Sequence, residues 1–338
     1  MANIKLKELS PKFSKLLDKL NAASERKQMS LLLDHPWDID DGDVWLKKRE
    51  ALSIYGTHYY DLATEEERRL LSVYETGAWW HTFIIFENLV SEYYMKIVNN
   101  GTLKKFPQVV KYIHHFCREE ITHALVFRKA MAHFKIEPFP TPLNLKDFYS
   151  NHSTVKEMPL KAIYMTILIE WLAENNALID CNNHFVSPLA RSVAVEHHKE
   201  EARHIEWGKN MIREFTEFVP GFIEDVKVNT ASMLKSILDM AVTSPVIFER
   251  VNFTNPAFKD YKKMFPVILQ SENRSQINEK IIAPLIRFFI EIGVCDGTNL
   301  EDWANAGFDK FIDKAREQLK AKSVTSDRDN VMDESYNI

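Results

Sequence analysis

Glycine is scarce in this 338-residue chain, nine residues in all, and no two of them form a Gly-x-Gly. That excludes a dinucleotide-binding fingerprint and a glycine-rich phosphate loop. Any redox chemistry here therefore takes its electrons from a separate protein or a diffusible reductant. Cysteine is scarcer still. Cys117, Cys181 and Cys295 stand far apart with no Cys-x-x-Cys pair, which excludes a disulfide framework and points to reduced, intracellular chemistry. Long apolar runs are missing too. The longest interior one, near residues 77–86, falls short of the roughly 20 residues needed to cross a bilayer. The first residues, Met-Ala-Asn-Ile-Lys-Leu-Lys-Glu, lack the apolar core of a signal peptide. A soluble cytoplasmic protein with no membrane partner is expected. Basic residues are scattered and the net charge is −5, which argues against nucleic acid. No alternating strand pattern, Asn-Gly hairpin or short internal repeat occurs.

What the chain does have is helical periodicity on an ample apolar content of 45%. Ser10-Pro11, a cap residue followed by proline, opens a first helix whose stripe of Phe13, Leu16, Leu17 and Leu20 predicts a run to about Leu33. The acidic stretch 34–43 reads as a solvated turn, since its spacing does not fit a calcium loop. Thr64 and Glu67 form a capping box. The helix they open should reach the Asn99-Asn100-Gly101 stop, with a kink or break near Gly77. Phe106-Pro107 starts a helix to about Phe134. A proline-rich connection over 136–144 and a less regular segment follow, then a strongly apolar helix over 160–179. Ser187-Pro188 opens a helix that ends before Pro220-Gly221. Beyond it, a helix over 222–242 and two or three shorter ones between Pro256 and Lys320 are predicted. Residues 1–320 are expected to form a single domain with the central helices at about 65–218, and the polar tail 321–338 to be disordered.

Four of these helices carry charge on their packed faces. Glu87 lies among Trp80, Phe83, Ile84, Ser91 and Tyr94, and an ionised carboxylate there is costly unless paired or metal-bound. Glu120-x-x-His123 is flanked at helical spacing by Phe116, Ala124 and Phe127. Glu170 and Glu174 sit one turn apart in the apolar 160–179 helix. The stretch 195–207 holds His197-x-x-x-Glu201-x-x-His204, whose three side chains share one helix face, while His198 points roughly 100° away. A glutamate from each of two helices and a Glu-x-x-His from each of two others is the ligand recipe of a ferritin-like di-iron carboxylate bundle. The expected fold is therefore all-α: a ferritin-like four-helix core with extra N- and C-terminal helices. From spacing alone, Glu170 or Glu174 fills the third place. His197 adds an imidazole that this recipe does not require.

With four glutamates and three histidines in that order, the chain resembles the p-aminobenzoate N-oxygenase-like di-iron oxygenases over roughly residues 45–207. The resemblance implies Glu87, Glu120, His123, Glu170, His197, Glu201 and His204 as metal ligands, favouring Glu170 over Glu174. It implies two iron ions as cofactor, O2 as co-substrate, and oxidation of an amine to a hydroxylamine, nitroso or nitro product, in natural-product biosynthesis. Asn176, six residues after Glu170, matches a polar pocket position of the family, with Trp79 and Phe83 as further pocket candidates. One departure bears on the substrate. Residues 77–91 contain no Lys or Arg, and a buried substrate carboxylate needs a cation. An amine without that carboxylate, or one tethered to a carrier, suits this wall better than p-aminobenzoate. An external electron donor is implied, and a homodimer is compatible. The competing readings are a di-iron hydroxylase or desaturase attacking C–H bonds, a ferritin-like iron-binding protein, and a non-enzymatic helical interaction protein.

Overall fold

The computed structural model describes residues 8–39, 42–101, 103–140, 160–181 and 183–326. In chain order its helices are α1 (Pro11–Arg26), α2 (His58–Leu62), α3 (Glu65–Asn99), α4 (Pro107–His133), α5 (Leu160–Cys181), α6 (Pro188–Phe215), α7 (Phe222–Lys227), α8 (Thr230–Met240), α9 (Pro245–Val251), α10 (Tyr261–Leu269), α11 (Glu272–Glu291), α12 (Leu300–Asn305) and α13 (Asp309–Ser326). Among the described residues there is no β-strand, only an isolated bridge between Trp45 and Val186.

Two lengthwise pairs, α3 with α4 and α5 with α6, form the core, and α4 meets α6 between them. This is the ferritin-like all-α arrangement expected from the ligand recipe. Helix α1 packs on α4 and α6, α9 on α3, and α11 on α5 and α13, so the added helices jacket the four central ones.

The sequence signals account for most boundaries. The Ser10 and Ser187 hydroxyls accept from Phe13 N and Ala190 N, and Thr64 and Glu67 close the capping box in both directions. Gly101 takes a positive φ of 74° just past α3, the conformation that ends a helix. Five expectations change. Helix α1 stops at Arg26 rather than near Leu33. The N–H of Met29 goes to Glu200 Oε1 at 2.8 Å and that of Ser30 to Asp34 Oδ2 at 2.7 Å, so side-chain acceptors, one distant and one local, replace helical carbonyls. Helix α3 runs unbroken through Gly77. A Cβ there would lie 2.6 Å from an Ile136 methyl, so this glycine serves a close approach and not a bend.

The segment expected as one helix over 222–242 is two, α7 and α8. At the junction the Thr230 hydroxyl lies 2.8 Å from Tyr164 OH, which anchors the break to α5. After Pro256 four helices, α10 to α13, stand where two or three shorter ones were expected, and α11 is twenty residues long because Ile277, Ile281, Ile282, Leu285 and Phe289 give it a full buried stripe. Finally, α13 continues to Ser326, so 321–326 of the expected disordered tail is helix, as the helix formers Ala321 and Lys322 allow. The rest of that tail, and the less regular segment over 141–159, lie outside the described residues. Among the described residues one stretch has the length and apolarity of a bilayer span, Thr230–Val251, and it is divided between α8 and α9.

Candidate metal centre

Each central helix turns a polar group into the core it shares with the others. Glu87 comes from α3, Glu120 and His123 from α4, Glu170 from α5, and His197, Glu201 and His204 from α6; all are at most 5% exposed. Because 197, 201 and 204 fall at spacings of four and three, one face of α6 offers three donors at once. The structure brings all seven together in two groups. Donor atoms of Glu87, His123, His197 and Glu201 lie within 4.8 Å of one another, as do those of Glu120, Glu170, Glu201 and His204. Glu201 belongs to both groups, its Oε1 turned to His123 and His197 and its Oε2 to His204.

The short contacts inside the cluster have the spacing of ligands around a metal. His204 Nδ1 stands 2.7 Å from Glu120 Oε1, His123 Nδ1 stands 3.0 Å from Glu201 Oε1, and His197 Nε2 stands 3.3 Å from Glu87 Oε1. Adjacent ligands on a cation with bonds near 2.1 Å are about 3 Å apart. Several of these atoms have no aligned hydrogen-bond partner among the described residues: Glu87 Oε2, both oxygens of Glu120, both of Glu170, and His123 Nδ1. Buried polar atoms left this way call for an ion. A mixed carboxylate and imidazole set suits a first-row metal such as iron.

Charge points the same way. Seven buried carboxylates (Glu87, Glu119, Glu120, Glu170, Glu174, Glu200 and Glu201) surround three imidazoles and the Arg203 guanidinium. Without a cation the excess of negative charge is relieved by protons. Burial pushes Glu87 up to about 8 and Glu170 well above the carboxylate range, while burial and the neighbouring Glu201 raise Glu120. The imidazoles move upward as well. For His123, burial and the neighbouring His197 oppose the shift, but bonds to Glu200 and Glu201 carry it to about 9. Two divalent ions would replace these protons.

Behind each imidazole stands a further carboxylate, which the sequence patterns did not single out as such. His123 Nε2 meets Glu200 Oε2 at 2.9 Å, His204 Nε2 meets Glu119 Oε2 at 2.9 Å, and His197 Nδ1 meets Glu174 Oε1 at 2.7 Å. Each pairing leaves the opposite nitrogen facing the cluster and orients the ring. Glu174, the alternative to Glu170 in the sequence, thus lies behind His197, and its second oxygen takes His198 Nδ1 at 2.5 Å. Glu170 faces the cluster. Arg203 ties the other two outer carboxylates together, 3.0 Å from Glu119 and 3.3 Å from Glu200. Burial opposes it, but His204 and Arg203 still hold Glu119 down to about 2. The available signal was the Glu-Glu doublet in both motifs, 119–120 and 200–201, each placing a second carboxylate about 100° from the first.

A pocket opens beside this cluster. Thr76, Trp79, Trp80 and Phe83 line it along one face of α3, Phe127 and His197 at its inner end, and Asn176 and Ala177 from α5. His197 is the only one of the seven candidate donors in its wall; the ring centroid is 4.9 Å from Phe127 and 6.1 Å from Phe83. The pocket candidates Trp79, Phe83 and Asn176 are all there. So is Lys47, which no signal in the sequence had marked. It lies in the run Lys47-Lys48-Arg49, which reads as a solvated surface, yet it is 5% exposed and 3.0 Å from Glu75 Oε2. Residues 77–91 bring no cation to the pocket, as their composition implies, but one arrives from outside that stretch.

The family model described as P-aminobenzoate N-oxygenase AurF matches residues 10–293 of the chain. No curated protein and no solved structure matches it. The match takes in α1 to α11 and every residue of the cluster and pocket wall described above, and the chain belongs to the p-aminobenzoate N-oxygenase AurF family.

Proposed function

We propose that this protein is a di-iron N-oxygenase that uses O2 to convert an amine to a hydroxylamine, nitroso or nitro product, in natural-product biosynthesis. The observation that carries the reading is the third imidazole: His197 completes a set of four carboxylates and three imidazoles and is the donor that meets the pocket. The seven residues Glu87, Glu120, His123, Glu170, His197, Glu201 and His204 would hold two iron ions, Glu201 being the residue common to both donor groups. When bound, the iron pair supplies the electrons that activate O2 for oxygen transfer to nitrogen.

The protein's own residues set the conditions for that transfer. Glu119, Glu174 and Glu200 accept the outward N–H of His204, His197 and His123, which fixes one tautomer of each ring and keeps the lone pair on the metal side. Trp79, Phe83 and Phe127 give the amine an apolar bed that excludes water. The Asn176 side chain lines the pocket, where its amide would orient the substrate. Electrons reach the centre from an external donor, since no nucleotide-binding loop is encoded.

Anaerobic loading with Fe(II) tests the cofactor: about two irons per chain are expected, and none bound would end the proposal. Incubating the loaded protein with amines, a reductant and O2 then tests the reaction. Hydroxylamine or nitroso products are expected. Oxygen found only on carbon would replace this reading with that of a hydroxylase.

A further inference from the structure

The Lys47–Glu75 pair has no part in holding the metal centre, and it is expensive where it stands. The two side chains are 6% and 2% exposed, and a buried ion pair commonly stabilises a fold no better than an apolar pair of the same size. The bland account is that it staples the N-terminal segment to α3. Other bonds already tie the segment to α3 and, at Ser187, to the start of α6. Ser187 N donates to Trp45 O at 2.8 Å, Leu46 N to Ser72 Oγ at 3.3 Å, and Thr76 Oγ1 to Leu46 O at 3.4 Å. Glu75 has its own tie to the segment, accepting Ser53 N on Oε1 at 3.0 Å. Lys47 is the member of the pair that lines the pocket, and among the described residues one of its three N–H groups is engaged, by Glu75.

Position and charge decide what the other N–H groups would bind. Glu75 and Glu87 are twelve residues apart on α3, about 18 Å along the axis. Lys47 is bonded to the first and His197 contacts the second, and the α3 wall of the pocket between them, Thr76 to Phe83, covers about 10 Å of that length. A single aminobenzoate ring is too short to span them. The Lys47 charge is offset by Glu75 at 3.0 Å. Arg274, the other buried cation in the field of Glu75, is turned to Asn278 and shared with Asp239. A carboxylate brought to Lys47 would face Glu75 as a like charge in a poorly solvated place, whereas a carbonyl oxygen would not.

We propose that Lys47 determines specificity by donating to a neutral acceptor, an amide or thioester carbonyl, on an elongated amine whose nitrogen sits at the His197 end. The acceptor lies on the order of 10 Å or more from that nitrogen, given the helix rise. This rests on the N-oxygenase reading of the site and narrows its substrate to a tethered or extended amine.

The test is binding to the iron-loaded protein without O2, so that it does not depend on turnover. Three probes share a 4-aminobenzamide head: 4-amino-N-(2-acetamidoethyl)benzamide, the N-pentyl analogue without a distal acceptor, and the N-(3-carboxypropyl) analogue. The acetamide probe is expected to bind about tenfold tighter than the pentyl one, the value of one buried hydrogen bond. In Lys47→Met that ratio falls to about one, and Lys47→Arg restores part of it. If the ratio is already one in the native chain, or survives Lys47→Met, the proposal is overturned. A preference for the carboxylate probe also overturns it, because Glu75 would then not offset the lysine. A loss of melting temperature in Lys47→Met with the ratio unchanged identifies a staple and counts against the proposal. N-oxygenation of any probe, read separately after adding O2 and reductant, reports on the function itself; an intact ratio with no N-oxygenated product would sink that reading and leave the Lys47 contact standing.

Discussion

His204 and His197 lie two turns apart on the same face of α6 but occupy opposite environments. His204 is wholly buried, its ring stacked on Phe116 at 4.0 Å, with Trp207, Tyr112 and Tyr94 packed behind as further buried rings. Its outward nitrogen meets Glu119, which Arg203 neutralises. His197 is 5% exposed, contacts Phe83 and Phe127 across the pocket, and meets Glu174, which is shared with the half-buried His198. One end of the cluster is built like a core and the other like a binding site. On the proposed function, the first end would anchor the metals and the second would meet the substrate, although both offer the same kinds of donor.

The shared donor should show the largest effect, because it serves both ends. Glu201→Ala is expected to lower bound iron from about two per chain to near zero, measured by elemental analysis after anaerobic loading. A variant retaining both ions would show that the ends are held independently. Next comes the contrast on α5. Glu170→Ala should lose iron and activity outright, whereas Glu174→Ala, acting through His197, should cost about 10- to 100-fold in metal affinity. The reverse order would exchange the roles of the two residues.

A smaller effect separates the two histidines themselves in the metal-free protein. His204→Ala opens a cavity beside Phe116 and takes one of the partners of Glu119, for roughly 2–4 kcal/mol in denaturant unfolding. His197→Ala, whose lost ring borders the existing pocket rather than a packed core, should cost less than about 2 kcal/mol. Equal losses would erase the distinction between a packed and an open end.

The finest test is protonic. The raised values of Glu87, about 8, and His123, about 9, mean that the folded metal-free protein binds these protons more tightly than the unfolded chain. Their contribution to stability is complete below the unfolded values, near 4.5 for the carboxyl and 6.5 for the imidazole. It is lost as pH rises through 8 and 9, so the metal-free protein should weaken across that window. Metal loading at pH 7 should release protons, about two of them from Glu87 and His123, and the number should fall as pH rises through 8 and 9. Calorimetric titration in buffers of different ionisation heat counts them, and a release that does not change with pH would contradict the assignment.

How much of this was legible in the sequence follows from what periodicity can carry. Helix starts were readable where a side chain caps them, as at Ser10, Thr64 and Ser187. Helix ends were less so, because Arg26 is followed by a tertiary bond from Met29 to Glu200 that lies 171 residues away. The spacing of His197, Glu201 and His204 marked one face of α6, and Glu87 betrayed itself as a charge in an apolar stripe. Choosing Glu170 over Glu174 took the family resemblance, since both fall on the packed side. The outer carboxylates Glu119 and Glu200 were masked because each precedes a stronger candidate. Lys47 was hidden because a run of basic residues carries no information about which one turns inward.

The most direct test asks where oxygen goes. Iron-loaded protein, a reductant and a 4-aminobenzamide probe are incubated under 18O2, and the product is mapped by mass spectrometry. The label is expected on nitrogen, as a hydroxylamine or nitroso compound, and should be lost in the Glu201→Ala variant. Label on carbon alone, or an unlabelled amine recovered intact from protein carrying two irons across the panel of extended amines, would contradict the central claim.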